Sequence, residues 1–335
     1  MAEQTYIFRG IVTALSSISH IGETSSTISE FRAEKIITPD GLAVLIPMFS
    51  GNGIRGQLRD TGMHHMCRAI GYDDPAQGLS LPAFHFLFSG GSLTSKSGKA
   101  LNIAYARKLI EAIPLVGIFG GGVGNQLIPG KFKCGKMIPI GYETRGIVPV
   151  DVQQRVAGVD SNDYQPGDGL LSVFDYKHEE FYTRRDDAKN EHYKPLLSHA
   201  ERLMLEDAEV YEAQKRESGD ETPADDTGEH QQMRYSVVTL AAGTKLFWEI
   251  ILQNVSDIEF EAFLTTLAQF SRAPYIGGKS SIGHGKVEMD FSNWIKIDPR
   301  TPPEGTEIAF QLGTLYANHL RDRAGDIRKI LETIQ

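Results

Sequence analysis

The stretch at residues 42–72 constrains this chain more than any other. LAVLIPMF (42–49) is the longest apolar run. It leads into SGNG (50–53) and then IRGQLRDTGMHHMCRAIGY (54–72). In that last segment Ile54, Leu58, Met63, Met66, Cys67 and Ile70 recur at three- and four-residue spacings, interrupted by Gly62. The pattern predicts a buried strand, a glycine turn and an amphipathic helix. A second cluster of order lies near the other end. Residues 235–240 and 245–253 predict strands joined at Ala242-Gly243. Residues 260–270 predict a helix with Phe263, Leu264, Leu267 and Phe270 on one face. GGKSSIGHGK (277–286) is a second glycine-rich loop, and residues 286–291 a strand. With a first strand at 5–15 and a Lys-bearing strand at 131–140, this predicts an α+β fold. Its core is a ferredoxin-like, split βαβ arrangement with a large central insertion. Residues 16–40 read as loop or hairpin, 73–105 as irregular, 105–113 as a short helix, and 307–319 and 322–333 as two closing helices.

Charge locates the insertion. The chain of 335 residues has a net charge of −9, with 43 acidic and 34 basic side chains. Residues 201–230 alone carry −8, whereas residues 1–150 carry +4. Residues 218–230 have no apolar residue larger than Ala or Pro, so they bury too little surface to offset the entropy of ordering and read as a mobile loop. A surface helix is expected over 198–216. The acidic run reads as a solvated insertion, with a phosphate mimic or a dock for a basic partner as sharper alternatives. No apolar run approaches the roughly 20 residues of a membrane span. No secretory signal is read, and Cys67 and Cys134 form no CxxC pair. A cytoplasmic protein without a thiolate zinc site or disulfide scaffold is expected.

Glycine-rich turns present backbone N–H groups to anions, best at a helix N-terminus. SGNGIRGQLR (50–59) opens a helix and sets Arg55 and Arg59 one turn apart. GGKSSIGHGK contributes Gly278, Lys279, Ser280, Ser281, His284 and Lys286. It is not a Walker A motif, because Ala273 stands where the first glycine belongs. Each segment alone also reads as a structural turn; two basic ones beside strands also read as a phosphate-backbone surface. His64, His65 and Cys67 diverge around a helix and read as surface rather than metal ligands. No Ser-His-Asp or Cys-His constellation emerges from spacing, and no catalytic residue, metal or cofactor is assigned.

IPMFSGNGIRGQLR (46–59) resembles the first signature of the RAMP superfamily of CRISPR proteins, with Ser50, Asn52 and Gly53 at the family's proline-serine-serine positions. IGGKSSIGHGKVEMDF (276–291) is similar to its C-terminal glycine-rich loop and closing strand. ALSSISHIGE (14–23), IFGGGVGNQLIPGKFKCGKMIPI (118–140) and TLAAGTKLFWEIIL (239–252) are similar to segments of the effector backbone subunits, in the same order. The overall likeness is to the type IV backbone protein.

That resemblance implies an RRM-like palm built from residues 1–140 and 235–291. It implies a thumb hairpin with the acidic insertion in 141–234 and a C-terminal helical segment, 292–335. Such a subunit oligomerises along a guide RNA (crRNA), presents it to a target strand, DNA in type IV, and joins further copies of itself and other effector subunits. RNA contacts are expected at His20, Ser50, Gly51, Asn52, Gly53, Arg55, Arg59, Lys131, Lys133, Arg145, Arg155, Gly278, Lys279, Ser280, Ser281, His284 and Lys286. In type III relatives an Asp about fifteen residues before the signature cleaves target RNA with a metal; here that count from Ser50 reaches Lys35, near Glu30 and Glu34. A non-catalytic subunit is therefore expected. A metal-dependent target-RNA endonuclease using Glu30 or Glu34, and a nucleotide-binding enzyme using the glycine loops, remain as alternatives.

Overall fold

A computed structural model describes residues 3–74, 78–91, 103–124, 126–159, 163–184, 194–204, 206–207, 210, 233–290, 294–297, 306–308 and 311–334. Strand β1 (Gln4–Ala14) is followed by β2 (Ile21–Ser25), β3 (Ile28–Phe31), β4 (Ala33–Ile37) and β5 (Ala43–Pro47). Helices α1 (Gly51–Ala69), α2 (Leu81–Phe88), α3 (Ile103–Ala112) and α4 (Pro114–Phe119) come next. Short strands β6 (Gly121–Val123), β7 (Gln126–Ile128), β8 (Phe132–Cys134) and β9 (Ile138–Pro139) lead to α5 (Val150–Ala157). Then come β10 (Lys177–Arg184), β11 (Met233–Leu240), β12 (Lys245–Val255) and α6 (Asp257–Phe270). Strands β13 (Val287–Met289), β14 (Trp294–Ile297) and β15 (Thr306–Ile308) and helix α7 (Leu315–Glu332) complete the order.

Seven strands form the main sheet in the order β15-β14-β1-β12-β8, with β13 also on β1 and β9 also on β12. Every pairing in it is antiparallel. Strands β1 and β8 therefore run parallel with β12 between them, and α1 lies in the chain that connects them. Likewise β12 and β14 run parallel with β1 between them, and α6 lies in their connection. Two split β-α-β units interleave. The sequence explains the sheet's two faces: Tyr6, Phe8, Val12 and Ala14 are buried, and so are Leu246, Trp248, Ile250 and Leu252. This period of two turns one face toward the helices. The core holds the apolar stripe of α1 (Ile54, Leu58, Met63, Met66, Cys67) and the predicted face of α6. Gly62 is where those helices touch, since a Cβ there would lie 2.6 Å from Thr266 Oγ1.

Four local readings differ. Residues 42–49 do not form a buried strand of the main sheet. Strand β5 pairs with β4 alone, and Leu45 is 61% exposed. Within 73–105 lies α2, capped by Ser80, whose side chain accepts from Ala83 N–H. Among the described residues the end of the chain has β15 and one helix rather than two helices, and β14 pairs with β1. Finally, β10 and β11 pair antiparallel and join β3 and β2 in a second sheet. The acidic segment falls within the connection between β10 and β11. Residues 199–204 are helical. The remainder of the expected 198–216 helix and the expected 218–230 loop lie almost wholly outside the described residues.

Candidate nucleic-acid interface

The two glycine turns and the opening His-Ile-Gly turn meet at one place. Ser50 caps α1, its hydroxyl accepting from Gly53 N–H at 3.1 Å, which satisfies one of the helix's unpaired donors. The Ser50 N–H donates to His20 Nε2 at 3.2 Å, and the His20 ring stacks on Phe49 with centroids 4.2 Å apart. Gly278 N–H donates to Ser19 O at 2.9 Å. Gln57 of α1 donates to Gly277 O at 3.4 Å. Segments some 30 and 220 residues apart in sequence are thereby fixed as one surface. Asn52, Ser280, Ser281 and Lys286 are exposed on it.

His20 is held as an acceptor, and burial, then the Arg32 charge, lowers its pKa. The unfolded state therefore binds this proton first, as pH falls below the ordinary value of 6.5, and stability declines with it. His65 is lowered as well, first by burial. Urea unfolding at about pH 7.5 and about pH 5.5 should show a loss at the lower pH that His20→Gln reduces. Equal losses in the two proteins would show that His20 is not the group responsible.

Arg55 and Arg59 share a face of α1 as expected, but they turn inward. Both guanidinium groups donate to Phe119 O at 2.5 Å, and Arg59 also donates to Gly120 O at 3.1 Å. They cap the carbonyl end of α4, where cations are favoured. Beside them a pocket of about 480 Å³ is bordered by Gly51, Asn52, Arg55, Gly130 and Lys133. Lys133 is exposed there. Gly51 allows the close approach of α1 to β8, because a Cβ would sit 2.5 Å from Cys134 O.

Several other predicted contacts have structural partners. Lys131 pairs at 2.9 Å with Glu259, whose side chain is 4% exposed. Arg145 is buried, paired with Asp40 and stacked 3.9 Å from the Tyr142 ring centre. Arg155 is exposed on α5. His284 is buried, with Nδ1 3.1 Å from Ser17 Oγ and Nε2 hydrogen-bonded to the Tyr182 hydroxyl. Lys279 takes a positive φ of 61°. Its ammonium lies 5.3 Å from the ring centres of both Tyr182 and Tyr235, which stack on each other. These tyrosines tie the glycine loop to β10 and β11. Sequence reading missed them, for no local signal marks a cross-strand tyrosine pair.

Glu34 is ion-paired with Lys136, Glu30 is exposed, and Lys35 lies on β4. Among the described residues no group of three or more His, Cys, Asp or Glu is placed to hold a metal ion. Burial pushes the Cys67 thiol up to about 11 and Cys134 up to about 12, which leaves neither a thiolate nucleophile near neutral pH. Among the described residues no helix is long and apolar enough to cross a membrane.

No protein-family model matches the chain, and no curated protein matches it. Among solved structures, a chain of an assembly described as "Type IV-B CRISPR Complex" superposes with a TM-score of 0.51 at 19% identity. The match covers 94% of this chain and 98% of that one. At this identity the likeness is one of fold. The chain therefore shares its fold with that chain.

Proposed function

We propose that this chain is a non-catalytic backbone subunit of a type IV-like CRISPR ribonucleoprotein. It oligomerises along a guide RNA and presents that RNA for pairing with a target strand, DNA by the type IV likeness. The observation that carries this reading is the convergence of three glycine-containing turns, far apart in sequence, on one surface of a fold shared with a type IV-B complex chain. The interleaved split β-α-β order supports an RRM-like palm from residues 1–140 and 235–291. The thumb is read in 141–234, which holds β10, while its partner β11 runs into the palm segment, and 292–335 is read as a C-terminal helical segment. Binding in this reading is sequence-tolerant: the protein contacts phosphates and 2′-hydroxyls, and base pairing supplies specificity. Partners are crRNA, the target strand, further copies of the chain and other effector subunits. The ion pair of Glu34 with Lys136 favours this over an RNA endonuclease that uses Glu34.

The test is purification after co-expression with a CRISPR array, with absorbance at 260 and 280 nm and sequencing of bound nucleic acid. A nucleic-acid-free protein that fails to shift guide RNA at low salt would refute the proposal. The contacts have their own test. Lys133 and Lys286 are exposed, so replacing both by Ala should leave the fold intact. Affinity should fall alike for unrelated guides, and the salt slope should flatten by about 0.7 for each lost phosphate contact on a single strand. A loss confined to one guide sequence would contradict it.

A further inference from the structure

Three segments remote in sequence meet at a ring of polar side chains. Ser17 lies between β1 and β2, Glu180 and Tyr182 share one face of β10, and His284 belongs to the glycine loop. The His284 side chain is 3% exposed and that of Glu180 24%. His284 Nε2 stands 3.6 Å from Glu180 Oε2 and is hydrogen-bonded to the Tyr182 hydroxyl. That hydroxyl donates to Glu180 Oε2 at 3.0 Å, and Thr239 of β11 donates to Oε1 at 3.2 Å. Ser17 Oγ is 3.1 Å from His284 Nδ1 and also hydrogen-bonds to Glu180.

The available protons decide the roles. Burial raises the Glu180 carboxyl, but the bonds from Ser17 and Tyr182, the His284 ring and the Thr239 bond together hold it below its ordinary value. Glu180 then only accepts. Burial, then Glu180, pushes the Tyr182 hydroxyl up to about 12, so it keeps its single proton. That proton goes to Glu180, so Tyr182 accepts from His284 and Nε2 carries a hydrogen. Ser17 also has one proton, and two acceptors lie within its reach. Donated to Nδ1, it leaves a neutral imidazole and loses the bond to Glu180. Donated to Glu180, it requires a hydrogen on Nδ1 and hence an imidazolium. Only the cation completes both hydroxyl bridges between the ring and the carboxylate. A buried ion pair is a poor source of net stability compared with apolar packing. A histidine whose bonding is rearranged by one proton is suited to switching.

We infer that Ser17, Glu180, Tyr182 and His284 form a proton-operated clasp, which closes the β10–β11 arm on the glycine loop when His284 Nδ1 takes a proton from solvent. The Ser17 hydroxyl turns from Nδ1 to Glu180 in that step and keeps its own hydrogen. Lys279 opposes the uptake, with its ammonium 5.3 Å from the ring centres of Tyr182 and Tyr235. His178 is exposed on the same face of β10, and Lys286 is exposed two residues beyond His284. The clasp does not depend on RNA binding, and failure of either reading leaves the other standing.

The test uses the full chain with isotopically labelled histidine. Two-bond nitrogen–proton spectra report the hydrogen on each ring nitrogen, and His284→Gln assigns the signals. Amide hydrogen exchange, corrected for intrinsic rates, follows the bonded N–H groups of Ile276, Gly278 and Gly285 at about pH 5.5 and about pH 8.5. His20, beside the same loop, acts in the opposite sense in acid, so wild type is compared with Glu180→Gln. On going to the lower pH the wild type should gain about tenfold more protection than the variant. His284 of the variant should give up its proton about one pH unit lower than in the wild type. Circular dichroism checks folding, and Tyr182→Phe, which keeps the ring stacked on Tyr235, gives a second comparison. A wild-type His284 that is neutral at about pH 5.5 would overturn the inference. So would equal pH dependence of protection in wild type and variants.

Discussion

Gly285→Ala should lower the unfolding free energy by about 3 kcal/mol or more. Gly285 has a φ of 85°, a region in which a side chain is strained. A Cβ there would also lie 2.0 Å from Ile276 O. The obstacle is backbone and cannot rotate away. Moving it would break the bonds from Ile276 N–H to Gly285 O and from Gly285 N–H to Ser17 O, each 2.8 Å. Those bonds fix the loop against the start of the chain. Gly278→Ala is the control, for nothing lies within 4 Å of its Cβ position. It should stay within about 0.5 kcal/mol of the wild type. Equilibrium urea unfolding of both variants decides the matter. Equal stability would mean that the glycine at 285 is not demanded by this approach. The loop's glycines thus differ: Gly277 and Gly285 let backbones meet, whereas nothing near the Gly278 Cβ position demands a glycine there.

The strong periodic segments were legible because burial on one side imposes a pattern that survives in a single sequence. The apolar stripe of α1, the alternation of β1 and β12, and the α6 face all appear where spacing puts them. Helix α2 was not legible. It has eight residues, LPAFHFLF, and exposes Leu81 and Phe84, so it shows no clear polar face. The Ser80 cap followed by Pro82 was its one usable signal. Strands β14 and β15 are three or four residues long, and the pairing of β14 with β1 and of β15 with β14 decides their state rather than local preference. The site shows the same division. Spacing alone gave the shared face of Arg55 and Arg59. Their common partner, Phe119 O, lies at least 60 residues away in sequence, and no local rule reports it. His284, expected as an RNA contact, is buried against Ser17 and Tyr182, partners that no local rule reports.

Lys131→Met should cost about 3 kcal/mol, because it leaves a buried carboxylate without its counter-charge. Glu259 is nearly inaccessible, and its Oε2 takes Lys131 at 2.9 Å together with the N–H and hydroxyl of Ser256. Those two Ser256 donors keep the cap of α6, but they do not neutralise the charge. Glu259→Gln keeps the capping geometry, since an amide can serve at that position, and removes the charge. That single change should cost about 1 kcal/mol, as Lys131 is partly solvated and also near Glu3 at 3.5 Å. The double variant should then lose about 2 kcal/mol, less than Lys131→Met alone, with a coupling of about 2 kcal/mol in a double-mutant cycle. Additive losses would mean that the two side chains do not act as a pair. RNA affinity measured on the same four proteins separates structure from recognition. If Lys131 serves the fold, affinity follows stability, and the double variant regains both. A Lys131→Met protein that is stable yet binds RNA weakly would put this lysine on the phosphate backbone instead.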